Sequence, residues 1–297
     1  MSAQPGIAPA SGSVNGPGSA PVSAPGIAPS STPAMAPLLR ACPACAATAR
    51  RELPAYSRDH WAVAECSACG FVYLVNPPET VALEEDFAWE KTIRAEETRR
   101  KKDAPVMYGL DYASRLRTRL FRGDEAARYL RWFGAGAKVL DVGCGDGSRL
   151  RAPLVPFGIE ISRGLAEKAD AAMRPLGGYC LQGSTLETIG RFPKGHFDAI
   201  VMRSYLEHET EPQGVLNAAH RALKPGGRIY VKVPNYGSVN RRLTGRSWCG
   251  FRHPDHVNYF TLKSLTRMAQ ATRYRLRLLN PLNLAFDDNI HAHLIAV

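Results

Sequence analysis

The chain has 297 residues, 45% of them apolar, enough for one large α/β domain with a small accessory module. Its formal net charge of +11 suits an acidic partner such as nucleic acid, a phosphorylated substrate or an anionic surface, and does not choose among them. No apolar run reaches the length of a membrane span and the start lacks a secretory pattern, so a cytoplasmic protein is expected. In that reducing setting the two CxxC pairs predict metal rather than disulfides.

Residues 1–37 are rich in Pro, Ala, Gly and Ser, carry no charged side chain and repeat PGIAP, so they predict a disordered tail with little to bury. Residues 38–78 contain Cys42, Cys45, Cys66 and Cys69, a CxxC…CxxC spacing that matches a four-thiolate zinc ribbon. Four thiolates fill the coordination sphere, so the expected metal is structural, serving folding or docking rather than catalysis. Asn76-Pro77-Pro78 ends the ribbon and reads as a linker. Residues 79–134 read as a basic helical lid or linker, with Arg99, Arg100, Lys101 and Lys102 followed by Arg115, Arg117, Arg119 and Arg122; Tyr108 or Tyr112 could touch a ligand from there.

Residues 135–297 carry the main domain. Val139, Leu140 and Val142 make the apolar run of a buried parallel strand, which enters a turn containing Gly143, Gly145 and Gly147. Such a turn presents an open face against which a flat ligand can lie. Ser148 stands where a nicotinamide or flavin fingerprint would have its third glycine. The next apolar segment ends in Glu160, the right place for a carboxylate that accepts both ribose hydroxyls of a nucleoside. Pro153 and Pro156 leave room for barely two helical turns in the first crossover. Further strands are expected at 179–182, 197–202, 227–233, 274–279 and 291–297, with helices over 214–223 and over 261–272, the latter capped by Thr261. Together these predict a doubly wound, seven-stranded Rossmann-like sheet ending in a hairpin.

The motifs VLDVGCGDG (139–147), GIEIS (158–162), FDAIVMRSYLEHE (197–209) and LKPGGRIYVKVPN (223–235) resemble those of class I S-adenosylmethionine-dependent methyltransferases over roughly residues 105–297. The CxxCG of the ribbon and the segment WCGFRHPDHVNYF (248–260) are similar to the subgroup with an N-terminal zinc ribbon, often associated with polysaccharide or natural-product biosynthesis. The resemblance implies S-adenosylmethionine as cofactor, held by Asp141 at its amino group, by Gly143, Gly145 and Gly147 through close approach, and by Glu160 at the ribose. Ser184 stands where many members have an Asp on the adenine, so that contact falls to its hydroxyl or to backbone. His208, at the carboxyl edge of the sheet after the fourth strand, is a candidate general base with Glu207 beside it; His253 and His256 in the insertion before the last helix are further candidates. Arg252 and the Arg241-Arg242 pair could hold a phosphate. The expected reaction is methyl transfer to oxygen or carbon of a small biosynthetic intermediate, with sugar-linked and phosphate-bearing acceptors among the candidates. Two alternatives remain open: an RNA methyltransferase, in keeping with the ribbon and the basic charge, and a non-enzymatic scaffold that only binds.

Overall fold

The computed structural model describes residues 39–78 and 124–297, with a few residues between 98 and 109. The proposed tail, Tyr112 and the arginines from 115 to 122 lie outside the described residues. The described residues form two sheets. The smaller comprises β1 (Arg50–Glu52), β2 (Val63–Cys66), β3 (Val72–Leu74) and β9 (Asn258–Tyr259), all antiparallel. The larger has seven strands in the order β6-β5-β4-β7-β8-β11-β10. Its members are β4 (Lys138–Val142), β5 (Val155–Glu160), β6 (Cys180–Gln182), β7 (Phe197–Arg203), β8 (Leu223–Pro234), β10 (Tyr274–Leu278) and β11 (Asn289–Ala296). The five from β6 to β8 run parallel, and β11 lies antiparallel between β8 and β10.

The strands are apolar on both faces because both faces are covered. Side chains alternate: Leu140, Val142, Ile200, Met202, Ile229 and Val231 enter the larger core cluster, which also takes Val215, Leu216 and Ala219 of α4 (Pro212–Ala222) and Leu265 and Met268 of α6 (Leu262–Ala271). Val139, Ala199, Val201 and Tyr230 turn the other way, toward Tyr129 of α1 (Glu125–Phe133). Asp141 shares that second face by the same period. Among residues 124–297 the other α-helices are α2 (Arg163–Met173), between β5 and β6, the one-turn α3 (Thr185–Thr188), and α5 (Val239–Thr244).

Three details differ from expectation. The crossover from β4 to β5 holds turns and no helix, so it is shorter still than two helical turns. The fifth strand, expected from 227, already begins at Leu223, so that residues 224–226 lie inside β8 as a bulge opposite Phe197 to Ala199. Asn76 is buried, accepting from Ala62 N at 2.8 Å and donating to His60 O at 2.6 Å, so it fastens the ribbon's own loop instead of serving as a linker. At α6 the Thr261 cap is present as a reciprocal capping box with Ser264.

The ribbon is bonded into the main fold. Strand β9, from the insertion after α5, pairs with β3 through Val72↔Tyr259 and Tyr73↔Asn258. Arg40 donates to Leu74 O, Thr210 O, Val257 O and Asn258 Oδ1, tying the ribbon to the segment after β7 as well. Gln213 donates to Ala44 O and Arg267 to Cys69 O.

Candidate active site

At the carboxyl end of β4 the chain turns through Gly143, Gly145 and Gly147, with φ of 67°, 60° and 77°. Those values favour glycine, but the three have different surroundings. A Cβ on Gly147 would lie 2.9 Å from the Ala169 backbone, so this glycine lets α2 pack against the turn. A Cβ on Gly145 would meet nothing within 4 Å, so this is the glycine that faces open space. Glu160 ends β5 beside it, buried, its Oε2 accepting from Gly145 N at 2.8 Å and its Oε1 from Ser162 N at 3.0 Å. The two sequence features on which the nucleoside reading rests are thus in direct contact.

Asp141 is fully buried, with Arg149 Nη1 at 2.6 Å from each of its oxygens. Burial pushes its carboxyl up to about 6 in spite of the adjacent guanidinium. The amino-group role expected for Asp141 therefore meets a cation already in place. Ser184 is the N-cap residue of α3, and its hydroxyl donates to Glu187 Oε2 at 2.8 Å.

A second group lies beyond the end of β7. His208 Nδ1 is 2.9 Å from the Asp255 carbonyl and 3.0 Å from its Oδ1. Both partners only accept, so Nδ1 carries the proton and Nε2 is left as the basic nitrogen of the neutral ring. Asp255 also receives Arg252 Nη2 at 2.5 Å. Burial alone would lower the His208 pKa, but the charge and hydrogen bond of Asp255 together with the charge of Glu207 outweigh it and the group is raised. Asp255 is held well below the usual carboxylate range by His208 and Arg252, against its burial.

His256 stands edge-on to His208 with ring centroids 4.7 Å apart, donates through Nδ1 to Gly250 O, and is kept neutral by burial. Glu207 is buried beside them, with Oε2 unpartnered among the described residues. One polar atom from each of Glu207, His208 and His256 falls within 4.8 Å of the others. His253 is elsewhere, 3.3 Å from the Tyr259 hydroxyl and stacked near Phe251, and burial lowers it to about 4. Of the expected phosphate contacts, Arg252 is engaged with Asp255, and Arg241 donates to Tyr236 O and lies 4.1 Å over the Tyr236 ring. Arg149 and the bond from Asp255 to His208 were not anticipated from sequence. The shortened crossover was the available sign of the first, and the spacing of Asp255 beside two histidines of the second.

In the ribbon, Cys42 and Cys69 sulfurs are 3.6 Å apart, those of Cys45 and Cys66 3.5 Å, and all four lie within 4.8 Å of one another. A tetrahedral ion with zinc–sulfur bonds near 2.3 Å asks for sulfurs about 3.8 Å apart. The donor set and its spacing fit such an ion.

Residues 112–278 match the family model described as "Methyltransferase domain". The ubiquinone biosynthesis O-methyltransferase of Pseudomonas aeruginosa (strain LESB58) is 35% identical over 106 residues, covering 34% of this chain and 46% of that protein. The enzyme of the same name from Xanthomonas oryzae pv. oryzae (strain PXO99A) is 32% identical over 114 residues, covering 34% and 44%. The chain thus spans less than half the length of these curated relatives. A solved S-adenosylmethionine-dependent methyltransferase from Mesorhizobium loti is 14% identical with a TM-score of 0.46, covering 59% of this chain and 99% of that one. The family match takes in the glycine turn, Glu160, Ser184, His208 and Asp255 alike, and the chain belongs to the methyltransferase-domain family with the class I architecture.

Proposed function

We propose that the protein transfers a methyl group from S-adenosylmethionine to an oxygen of a small biosynthetic intermediate, with His208 as general base. The observation that carries this reading is the His208–Asp255 pair at the same sheet edge as the Gly145–Glu160 contact. When bound, the cofactor supplies an already activated methyl group. The chain's own part is to hold that group, align the acceptor and remove its proton.

Gly145 offers a surface free of Cβ for close approach, and Glu160, with one backbone donor on each oxygen, keeps acceptor capacity for hydroxyl groups. Nε2 of His208 takes the hydroxyl proton of the acceptor, and Asp255 fixes the tautomer and stabilises the imidazolium that results. The names of the two curated relatives favour oxygen over carbon as acceptor atom, and a small molecule over RNA. The four ribbon cysteines hold a structural zinc ion in this reading.

Calorimetric titration with S-adenosylmethionine and S-adenosylhomocysteine tests the cofactor half. Saturable binding that weakens at least about tenfold in Glu160→Ala is expected, since hydrogen bonds to a charged group are removed. Equal binding by the variant would remove Glu160 from the site. Methyl transfer to phenolic and sugar acceptors, lost in His208→Ala with cofactor binding intact, tests the base.

A further inference from the structure

In the helix-free crossover the chain turns back so that Arg149 reaches under the end of β4. Nη1 alone contacts Asp141, at 2.6 Å from both oxygens, and the buried carboxylate takes no other hydrogen bond among the described residues. An ammonium approaching Asp141 would meet a guanidinium first. The rest of that guanidinium is unspent: Nε and Nη2 have no acceptor among the described residues, and the side chain is 20% exposed on the wall of a cavity of about 340 Å³.

Gly145 lines the same cavity, which places it against the open side of the glycine turn. The remaining wall carries both signs of charge. Arg151 adds a second guanidinium and Glu125 a carboxylate already paired with Arg203, while Asp124 spends Oδ1 on Ala126 N and Asp146 accepts from both the backbone N–H and the hydroxyl of Ser148, each with acceptor capacity left. A cavity with a half-used guanidinium and two carboxylates that keep acceptor capacity matches an α-amino acid zwitterion, and it abuts the nucleoside contact of Glu160 through Gly145.

We propose that Arg149 binds the carboxylate of the cofactor's amino-acid end, with Asp141 as the positioning residue that holds Arg149, and that the ammonium lies toward Asp124 and Asp146. Asp141 then acts on the cofactor only through Arg149. This rests on the cofactor reading above and goes further by naming which end of the ligand each charge takes.

Decarboxylated S-adenosylmethionine keeps the adenosine, the sulfonium and the ammonium and lacks only the carboxylate. Calorimetry on the full chain should show it binding roughly 10- to 100-fold more weakly than S-adenosylmethionine, the range set by one or two charge-assisted hydrogen bonds. In Arg149→Gln the two ligands should bind alike, through loss of affinity for S-adenosylmethionine and not for the decarboxylated form. Because that variant leaves Asp141 buried without its cation, the neutral pair Asp141→Asn/Arg149→Gln is measured beside it, with circular dichroism to confirm folding. Discrimination preserved in both variants overturns the inference and leaves the cofactor reading standing. Absence of binding of either ligand by the wild-type protein overturns both.

Discussion

Which nitrogen of His208 can take a proton is decided by Asp255, whose carbonyl and carboxylate both accept from Nδ1. Asp255→Asn is expected to lower kcat by roughly 10²-fold or more, the low end of what a positioned base contributes, with little change in cofactor affinity. The pH profile distinguishes this from simple damage. With His208 as the base proposed above, the neutral ring is the active form, and activity is expected to rise with pH through a His208 pKa lying above its ordinary 6.5. Without the Asp255 charge that rise should move to lower pH while the plateau falls.

Stability follows from the same two shifts with opposite signs. The raised His208 contributes fully below its unfolded value of 6.5 and loses its contribution as pH rises through the folded value; the lowered Asp255 contributes fully above 3.8 and loses it as pH falls through its folded value. The urea midpoint of the wild type should therefore exceed that of Asp255→Asn most near about pH 5, and the gap should narrow toward about pH 8. Glu160 and His208 were legible as sequence because each follows a clear strand. The partner of His208 was not, since the contact joins residues 47 apart through an insertion without periodicity.

At the scale of elements, the strands read most easily were those buried on both faces, β4, β5, β7 and β8, where unbroken apolar runs leave little ambiguity. Strand β9 is two residues long and carries no pattern of its own. It exists because β3 offers it an edge, and Arg40, whose burial lowers it to about 10, satisfies the carbonyls where the pieces meet. Arg40→Ala is expected to cost about 3 kcal/mol, measured by chemical denaturation, because several carbonyls lose a charged donor at once. A smaller effect, under about 0.5 kcal/mol, would mean that water replaces it. Gly147→Ala tests the turn against α2: the added methyl meets the Ala169 backbone at 2.9 Å in a positive-φ conformation, and a loss of about 2 to 4 kcal/mol is expected.

For the whole molecule, the ribbon and the main domain are joined by β9, which the insertion after α5 adds to the ribbon's sheet, by Arg40, and by an apolar cluster in which Val63, Val72 and Leu74 pack with Trp248, Phe251, Val257 and Tyr259. Metal removal should therefore reach beyond the cysteines. Chelation of the zinc proposed for the four cysteines is expected to lower a single calorimetric transition as a unit, and to speed amide exchange at Leu74, whose N–H donates to Val257 O. Two separate transitions, with only the smaller one moved by the chelator, would show that the ribbon folds independently. The seven-stranded, doubly wound sheet with its closing hairpin could be anticipated from the alternation of strands and helices, whereas the loss of the first crossover helix could be seen only as a shortage of residues between Gly147 and β5.

The pairing of β3 with β9 also bears on how such proteins can be recombined. The cysteine-bearing segment and its fourth strand come from distant parts of the chain, one ahead of the main sheet and one near its end. A chimera that receives the first without the second would inherit an unpaired sheet edge, with the Leu74 N–H and an Arg40 guanidinium nitrogen that no longer have the Val257 carbonyl to donate to. Exchange between relatives therefore has to carry both stretches together, so that two remote regions of the gene are inherited as one unit.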